Sequence, residues 1–228
     1  MRIALSAVIA AVLLFVPSGG AEEVIHERIE WSDVWITNAD RDPDKPRVLL
    51  IGDSIVRGYY NGVEKELGDR ANCARFTTSK FAGHPDFLDE LGLILRRFSF
   101  GVIHVNNGLH GWDYTEEQYR EAIRDLLAML KREAPDAKLI WCMSTPWRDS
   151  QDLSRFDEEK NTRVQARNAI AAELAAEAGI PITDLYALSA DRQDHFASDG
   201  VHYNEEGRAA QATLVAEAIT KQLERVQF

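Results

Sequence analysis

The sequence has only two cysteines among 228 residues, Cys73 and Cys142. This excludes a disulfide-rich scaffold, and two buried free thiols are expected, although pairing cannot be read from sequence. Beyond residue 21, no apolar run reaches the roughly 20 residues needed to cross a bilayer. The sequence also has no run rich in lysine and arginine. Its 37 acidic residues outnumber its 26 basic ones and give a formal charge of −11. Nucleic-acid binding is excluded, because affinity for a phosphate backbone comes mainly from lysine and arginine.

The first 21 residues differ in composition from the rest of the chain. Arg2 supplies a positive charge, residues 3–16 are almost all apolar, and small residues occupy positions 17–21. This order is typical of a secretory signal peptide. We therefore predict a signal peptide over residues 1–21, a polar N-terminal arm over 22–45 and one domain over 46–228. The predicted location is secreted or periplasmic.

Apolar runs alternate with segments of helical spacing from Arg47 onward. The pattern predicts an α/β protein whose parallel sheet is covered by helices on both faces. Thr115 and Gln118 form a capping box at the start of one helix, and Asn204 caps the last one. A polar loop is expected over residues 147–157. Five strands are predicted, at residues 47–52, 73–78, 101–105, 138–143 and 180–183.

Chemically useful side chains follow three of these strands. Ser54 comes after the first strand, residues 106–110 (Asn-Asn-Gly-Leu-His) come after the third, and Asp199 and His202 come after the fifth. Each group alone is also ordinary turn or helix-cap chemistry. Parallel sheets bind ligands beyond the carboxyl ends of their strands, so the joint placement favours a site. A serine needs a base to become a nucleophile, and an imidazole base needs an acidic partner to fix its tautomer.

The blocks Ile51-Gly-Asp-Ser-Ile55 and Asp199-Gly-Val-His202 resemble those of the SGNH, or GDSL-like, hydrolases. The resemblance covers the chain from Pro46 onward and implies a flavodoxin-like three-layer α/β/α sandwich. It also implies that Ser54 is the nucleophile, His202 the base and Asp199 its orienting partner. The Gly-x-Ser-x-Gly pattern of the nucleophile-elbow fold is absent.

The oxyanion donors that the resemblance implies are harder to place. The family uses a glycine N–H from its second block, which points to Gly83, with Ser79 placed almost as well. It uses an asparagine from a Gly-x-Asn-Asp third block, where this chain reads Asn107-Gly-Leu-His110. Aligning the glycines puts His110 in place of asparagine, and a shift of one residue lets Asn107 serve instead. Either side chain can donate a hydrogen bond to an oxyanion.

The sequence therefore predicts an exported serine esterase that forms an acyl-enzyme and uses neither metal nor cofactor. Small acyl esters are the expected substrates, with O-acetyl groups on carbohydrate as one possibility. A lipase or thioesterase for longer acyl chains is one alternative. The other is a carbohydrate-binding protein on a catalytically degenerate scaffold. No membrane span is expected after processing, and the oligomeric state is left open.

Overall fold

The computed structural model describes residues 24–40 and 45–225, so the predicted signal peptide lies outside the described residues. Strands and helices alternate through most of this range, as predicted. The strands are β1 (Ser32–Ile36), β2 (Arg47–Gly52), β3 (Asn72–Thr78), β4 (Val102–Val105), β5 (Lys138–Cys142), β6 (Arg148–Asp149), β7 (Asp152–Phe156) and β8 (Ile182–Thr183). The helices are α1 (Ser54–Leu67), α2 (Pro85–Arg97), α3 (Glu116–Glu133), α4 (Glu158–Glu177), α5 (Leu185–Ala190) and α6 (Glu205–Leu223).

The main sheet has six strands in the order β1-β3-β2-β4-β5-β8. The five predicted strands are present and parallel, but the predicted total of five is wrong. The additional strand, β1, pairs antiparallel with β3 at the edge of the sheet. It lies in the segment expected to be a polar arm. Its sequence, Ser-Asp-Val-Trp-Ile, has no fully buried position, and its apolar run of three residues is shorter than that of β2.

Helices cover both faces of this sheet, which confirms the three-layer sandwich. Every residue of β2 is buried, because its side chains alternate between two cores. Leu49 and Ile51 pack with residues of α2, α3 and α4 on one face. Val48 and Leu50 pack with residues of α1 and α6 on the other face. The central strands are thus held rigidly from both sides.

The predicted polar loop over residues 147–157 is instead a short antiparallel hairpin formed by β6 and β7. β7 is short and largely exposed, and its two apolar residues, Leu153 and Phe156, form no regular alternation that would predict a strand. The hairpin contacts the last loop of the site, because Arg148 N–H donates to the carbonyl of Gly200 at 2.8 Å. It therefore supports residues 199–202 from one side.

Both cysteines are buried and unpaired, as expected: Cys73 in β3 and Cys142 in β5. The predicted capping box at the start of α3 is confirmed, with Thr115 and Gln118 each bonded to the other's backbone. Within residues 24–40 and 45–225, no helix is both long and apolar enough to span a membrane.

Candidate active site

Ser54, His202 and Asp199 meet at the carboxyl edge of the sheet. Asp53 ends the turn after β2 and caps α1, accepting a hydrogen bond from Ile55 N–H, so Ser54 is the first residue of the helix. His202 Nε2 lies 2.8 Å from Ser54 Oγ. His202 Nδ1 lies 2.7 Å from Asp199 Oδ2. The structure thus brings the three predicted catalytic residues into one hydrogen-bonded chain.

A tight turn allows Asp199 and His202 to face the same point. Asp199 Oδ1 accepts hydrogen bonds from Val201 N–H and His202 N–H, both at 2.9 Å. Gly200 has a φ of +74°, a conformation that favours glycine. A Cβ on Gly200 would lie 2.3 Å from the carbonyl oxygen of Arg148. The turn therefore requires glycine both for its backbone conformation and for space.

The same hydrogen bonds keep the Asp199 carboxylate ionised. Burial opposes the charge, but bonds from the His202 ring and from two backbone N–H groups outweigh it and lower the pKa of Asp199. A charged Asp199 accepts from Nδ1–H of His202 and leaves a lone pair on Nε2 toward Ser54. This is the tautomer that a general base requires.

Ser54 and His202 open onto a cleft of about 290 Å³ whose wall carries both polar and apolar groups. The guanidinium of Arg57, in this wall, stacks 4.5 Å from the ring of Trp31. The segment before β1 therefore helps to shape the cleft. The lining residues are Ser54, Ile55, Arg57, Gly58, His202, Tyr203, Arg208 and Gln211.

Of the two third-block candidates, Asn107 is held in place by hydrogen bonds to the backbone. It is buried, its Oδ1 accepts from Ala82 N–H at 3.2 Å, and its Nδ2 donates to the carbonyl of Lys80 at 3.3 Å. Asn107 thereby ties the loop after β4 to the loop after β3. His110 is partly exposed instead, and its Nδ1 faces Glu27 at 3.4 Å. These contacts favour His110 over Asn107 as a side chain that can reach a ligand.

The two second-block candidates also differ. Ser79 N–H donates to the carbonyl of Trp31 at 3.1 Å and so continues the pairing of β1 with β3. Gly83 lies in the exposed turn before α2, against Phe81 and Ala122. Its N–H has no hydrogen-bond partner among the described residues. Gly83 therefore has a donor to offer, whereas Ser79 does not.

Arg167 is a residue of this site that sequence reasoning missed. Its side chain is fully buried in α4. Its guanidinium donates to the carbonyls of Gly108, His110 and Gly111, at 3.2, 2.6 and 2.7 Å. It therefore fixes the loop that carries His110. Its position could have been noticed, because it falls at helical spacing with the buried residues Val164 and Ala171.

Among the residues that the structure describes, two clusters of titratable side chains lie outside this site: His26 with Glu30 and His84, and Asp194 with His195 and Glu206. In the first, His84 Nδ1 accepts the N–H of Asp86 and caps α2. A neutral His84 ring then carries its proton on Nε2, which faces Glu30 at 3.5 Å. A metal would have to displace that proton, so the geometry suits a contact with Glu30 better than a metal ligand.

A three-layer α/β sandwich with a serine–histidine–aspartate chain at its strand ends defines an SGNH-type hydrolase fold and site. Residues 50–210 match the model of the GDSL-like lipase/acylhydrolase family. The match spans more than half of the chain, and the protein belongs to that family. The predicted resemblance is therefore confirmed. A search of curated proteins finds no match.

Solved structures share the fold at low sequence identity. A GDSL-like lipase from Bacteroides thetaiotaomicron VPI-5482 is 18% identical, with a TM-score of 0.60 over 77% of this chain and 88% of that one. An aryl esterase from M. smegmatis is 13% identical, with a TM-score of 0.64 over 78% and 99%. A carbohydrate esterase family 3 protein from Talaromyces cellulolyticus is 14% identical, with a TM-score of 0.62 over 80% and 100%. At these identities the likeness establishes the fold alone.

Proposed function

We propose that this protein is an exported serine ester hydrolase that removes small acyl groups, in particular O-acetyl groups from carbohydrate. The observation that carries the proposal is the hydrogen-bonded chain from Asp199 through His202 to Ser54. Family membership supports acyl hydrolysis as the reaction class. The geometry of Ser54, His202 and Asp199 supports the roles proposed for them.

In the proposed acylation step, His202 Nε2 accepts the proton of Ser54 Oγ as that oxygen attacks the ester carbonyl carbon. The carbonyl electron pair moves onto oxygen and forms a tetrahedral oxyanion. The intermediate collapses, the bond to the leaving alkoxide breaks, and His202 gives its proton to the alkoxide. Water then attacks the acyl-enzyme with His202 again as base, which releases the acid and restores Ser54.

Three donors are available to stabilise the oxyanion in this scheme. Ser54 begins α1, so its N–H has no partner within the helix and lies at the positive end of the helix dipole. The Gly83 N–H is a second donor. The His110 ring is the third and takes the place of the family asparagine. Removal of one such donor typically lowers kcat by about 10²–10³-fold.

The cleft favours small acyl groups on a polar alcohol. A volume of about 290 Å³ suits a small acyl group better than a long alkyl chain, and Arg57, Arg208 and Gln211 in the wall offer hydrogen-bonding groups to a polar alcohol. Structural neighbours include an acetyl xylan esterase and a carbohydrate acetylesterase, which supports carbohydrate acetyl esters as the first substrates to assay.

The nucleophile is tested by hydrolysis of p-nitrophenyl acetate. Ser54→Ala should reduce turnover to the uncatalysed rate, whereas Ser150→Ala, an exposed serine of the hairpin, should match the wild type. A fluorophosphonate should label the wild-type protein at Ser54. Equal rates for wild type and Ser54→Ala would overturn the assignment, and an unlabelled, inactive wild type would favour the degenerate carbohydrate-binding alternative.

The substrate class is tested by acetate release from acetylated glycans and by an ester series of increasing chain length. Activity should be greatest for acetyl esters and fall as the chain lengthens. Activity that rises beyond about eight carbons would favour the lipase or thioesterase alternative. Export rests on residues 1–21 alone, and N-terminal sequencing of the protein from its native host should find these residues removed.

A further inference from the structure

The segment that precedes β1 is docked on the loop after β4. Ile25 N–H donates to Tyr114 Oη at 2.9 Å. Glu27 Oε1 accepts from Gly111 N–H at 2.8 Å. The segment thus contacts the loop at two points on either side of Trp112, and Arg167 holds the same loop from below. Glu27 therefore has a defined position beside the third-block residues.

From this position the Glu27 carboxylate faces His110. Glu27 Oε1 lies 3.4 Å from His110 Nδ1, and about a quarter of each side chain is exposed. The other charged groups that act on the His110 ring are Asp53, next to Ser54, and Arg167. Asp53 Oδ2 is buried without a hydrogen-bond partner among the described residues, so a cation nearby is favourable.

These charges favour the protonated form of His110. Burial and Arg167 oppose it, but the hydrogen bond to Glu27 and the negative charges of Asp53 and Glu27 outweigh them, so the pKa of His110 is raised. The hydrogen bond with His110 is also the main reason why the pKa of Glu27 is lowered. Together with the 3.4 Å contact, both shifts favour the charged forms of the two side chains.

The contact with Glu27 determines which nitrogen of His110 can donate a hydrogen bond. A neutral ring whose Nδ1–H points to a carboxylate has a lone pair on Nε2 and cannot donate from that side. Only the imidazolium donates from both nitrogens. Resting on the proposed function, we propose that Glu27 is a positioning residue: its carboxylate holds Nδ1–H of His110 so that Nε2–H is presented to the oxyanion formed at Ser54.

This arrangement makes the oxyanion hole dependent on pH in a way that an asparagine donor is not. His110 stabilises the oxyanion while it is protonated, and this contribution is lost as the pH rises through its raised pKa. Without the negative charge of Glu27 the loss should begin at lower pH. The amide of an asparagine does not titrate and needs no carboxylate partner.

The test compares four variants with the wild type: Glu27→Gln, His110→Asn, the double variant and Glu30→Gln. Glu27→Gln keeps an oxygen for Gly111 N–H but removes the charge. It should lower kcat at least tenfold with KM changed less than threefold. In a plot of kcat against pH, it should also move the fall in kcat at alkaline pH (the alkaline limb) to lower pH by about one unit. Glu30→Gln, on the same segment, keeps an oxygen for the backbone N–H of Glu27 and should leave both unchanged.

The remaining variants separate positioning from a structural effect. In a His110→Asn background the alkaline limb should vanish, and adding Glu27→Gln should change kcat less than twofold. An NMR titration of the His110 ring, without substrate, should give a lower pKa in Glu27→Gln than in the wild type. Should Glu27→Gln fail to fold, Glu27→Asp decides: its shorter side chain draws the carboxylate away from Nδ1 of His110 and should lower kcat, whereas an unchanged kcat would overturn the role of Glu27.

Different results would overturn the role of Glu27 and the proposed esterase function. An active, fluorophosphonate-labelled wild type whose Glu27→Gln variant keeps its kcat and alkaline limb would overturn the role of Glu27 alone. The same holds if Glu27→Gln costs as much with His110→Asn as without it. A wild type that neither hydrolyses esters nor is labelled at Ser54 would overturn the proposed function, and the role of Glu27 with it.

Discussion

Replacing Arg167 should destabilise the protein more than replacing any exposed arginine. Its guanidinium is fully buried and donates to three backbone carbonyls of one loop, those of Gly108, His110 and Gly111. Arg167→Met removes the charge and leaves these acceptors unsatisfied. A hydrogen bond to a charged group contributes about 1.5–3 kcal/mol, and water entering the site recovers part of the loss.

The net cost works out at about 3–5 kcal/mol, the usual range for removing one partner from a buried charged network. For a domain of this size each kcal/mol lowers Tm by about 2–4 °C, so Arg167→Met should lower it by about 6–20 °C. Arg167→Lys keeps the charge, but one ammonium cannot reach carbonyls bound by both branches of the guanidinium. The Tm of Arg167→Lys should therefore lie between those of the wild type and Arg167→Met.

The assay is thermal unfolding followed by calorimetry, with urea unfolding as a check on the free energy. Arg120→Met is the matched control, because Arg120 pairs with Glu173 at the surface and its loss should leave Tm unchanged. Arg167→Met should also lower esterase kcat at 25 °C, where it is still folded, because His110 loses its support. A Tm for Arg167→Met within 2 °C of the wild type would refute the reasoning.

Three further changes have defined outcomes. Gly200→Ala would place a Cβ 2.3 Å from the carbonyl oxygen of Arg148 at a φ of +74°. The turn must then shift, and esterase kcat should fall about 10²-fold. A wild-type rate would show that the turn tolerates the side chain. Thr115→Ala removes the capping box of α3 and should lower the free energy of unfolding by about 1 kcal/mol in a urea titration; an unchanged midpoint would contradict this. Burial raises the pKa of Cys73 to about 12 and also raises that of Cys142. Ellman's reagent should therefore react with neither thiol in the folded protein and with both in denaturant. Rapid reaction of the folded protein would refute the burial of the two thiols.

The elements that sequence reasoning predicted are those whose signal is local. The strand Arg47–Gly52 is a continuous apolar run because both faces are buried, and its two-sided burial is visible in the structure. Ser54 and His202 come from short blocks with particular residue types, and parallel topology alone was enough to expect them at the same edge of the sheet. Their catalytic roles remain a proposal.

What sequence reasoning missed depends on contacts between distant segments. The edge strand Ser32–Ile36 owes its conformation to pairing with β3, about 40 residues later, and its own side chains are mostly exposed. The polar hairpin Arg148–Phe156 likewise gains its order from its own pairing and from the loop at Gly200. Neither segment carries a hydrophobic pattern, so no local rule distinguishes it from a polar loop.

The third block shows how such a distant contact can alter the chemistry of a motif. Read locally, a histidine in place of asparagine leaves the identity of the oxyanion donor open, since either side chain can donate a hydrogen bond. Glu27, which precedes His110 by 83 residues, changes that conclusion by binding one ring nitrogen and favouring a proton on the other. In the proposed mechanism the exchange is therefore functional only together with the N-terminal segment. The segment that the sequence presents as an appendage then becomes part of the active site.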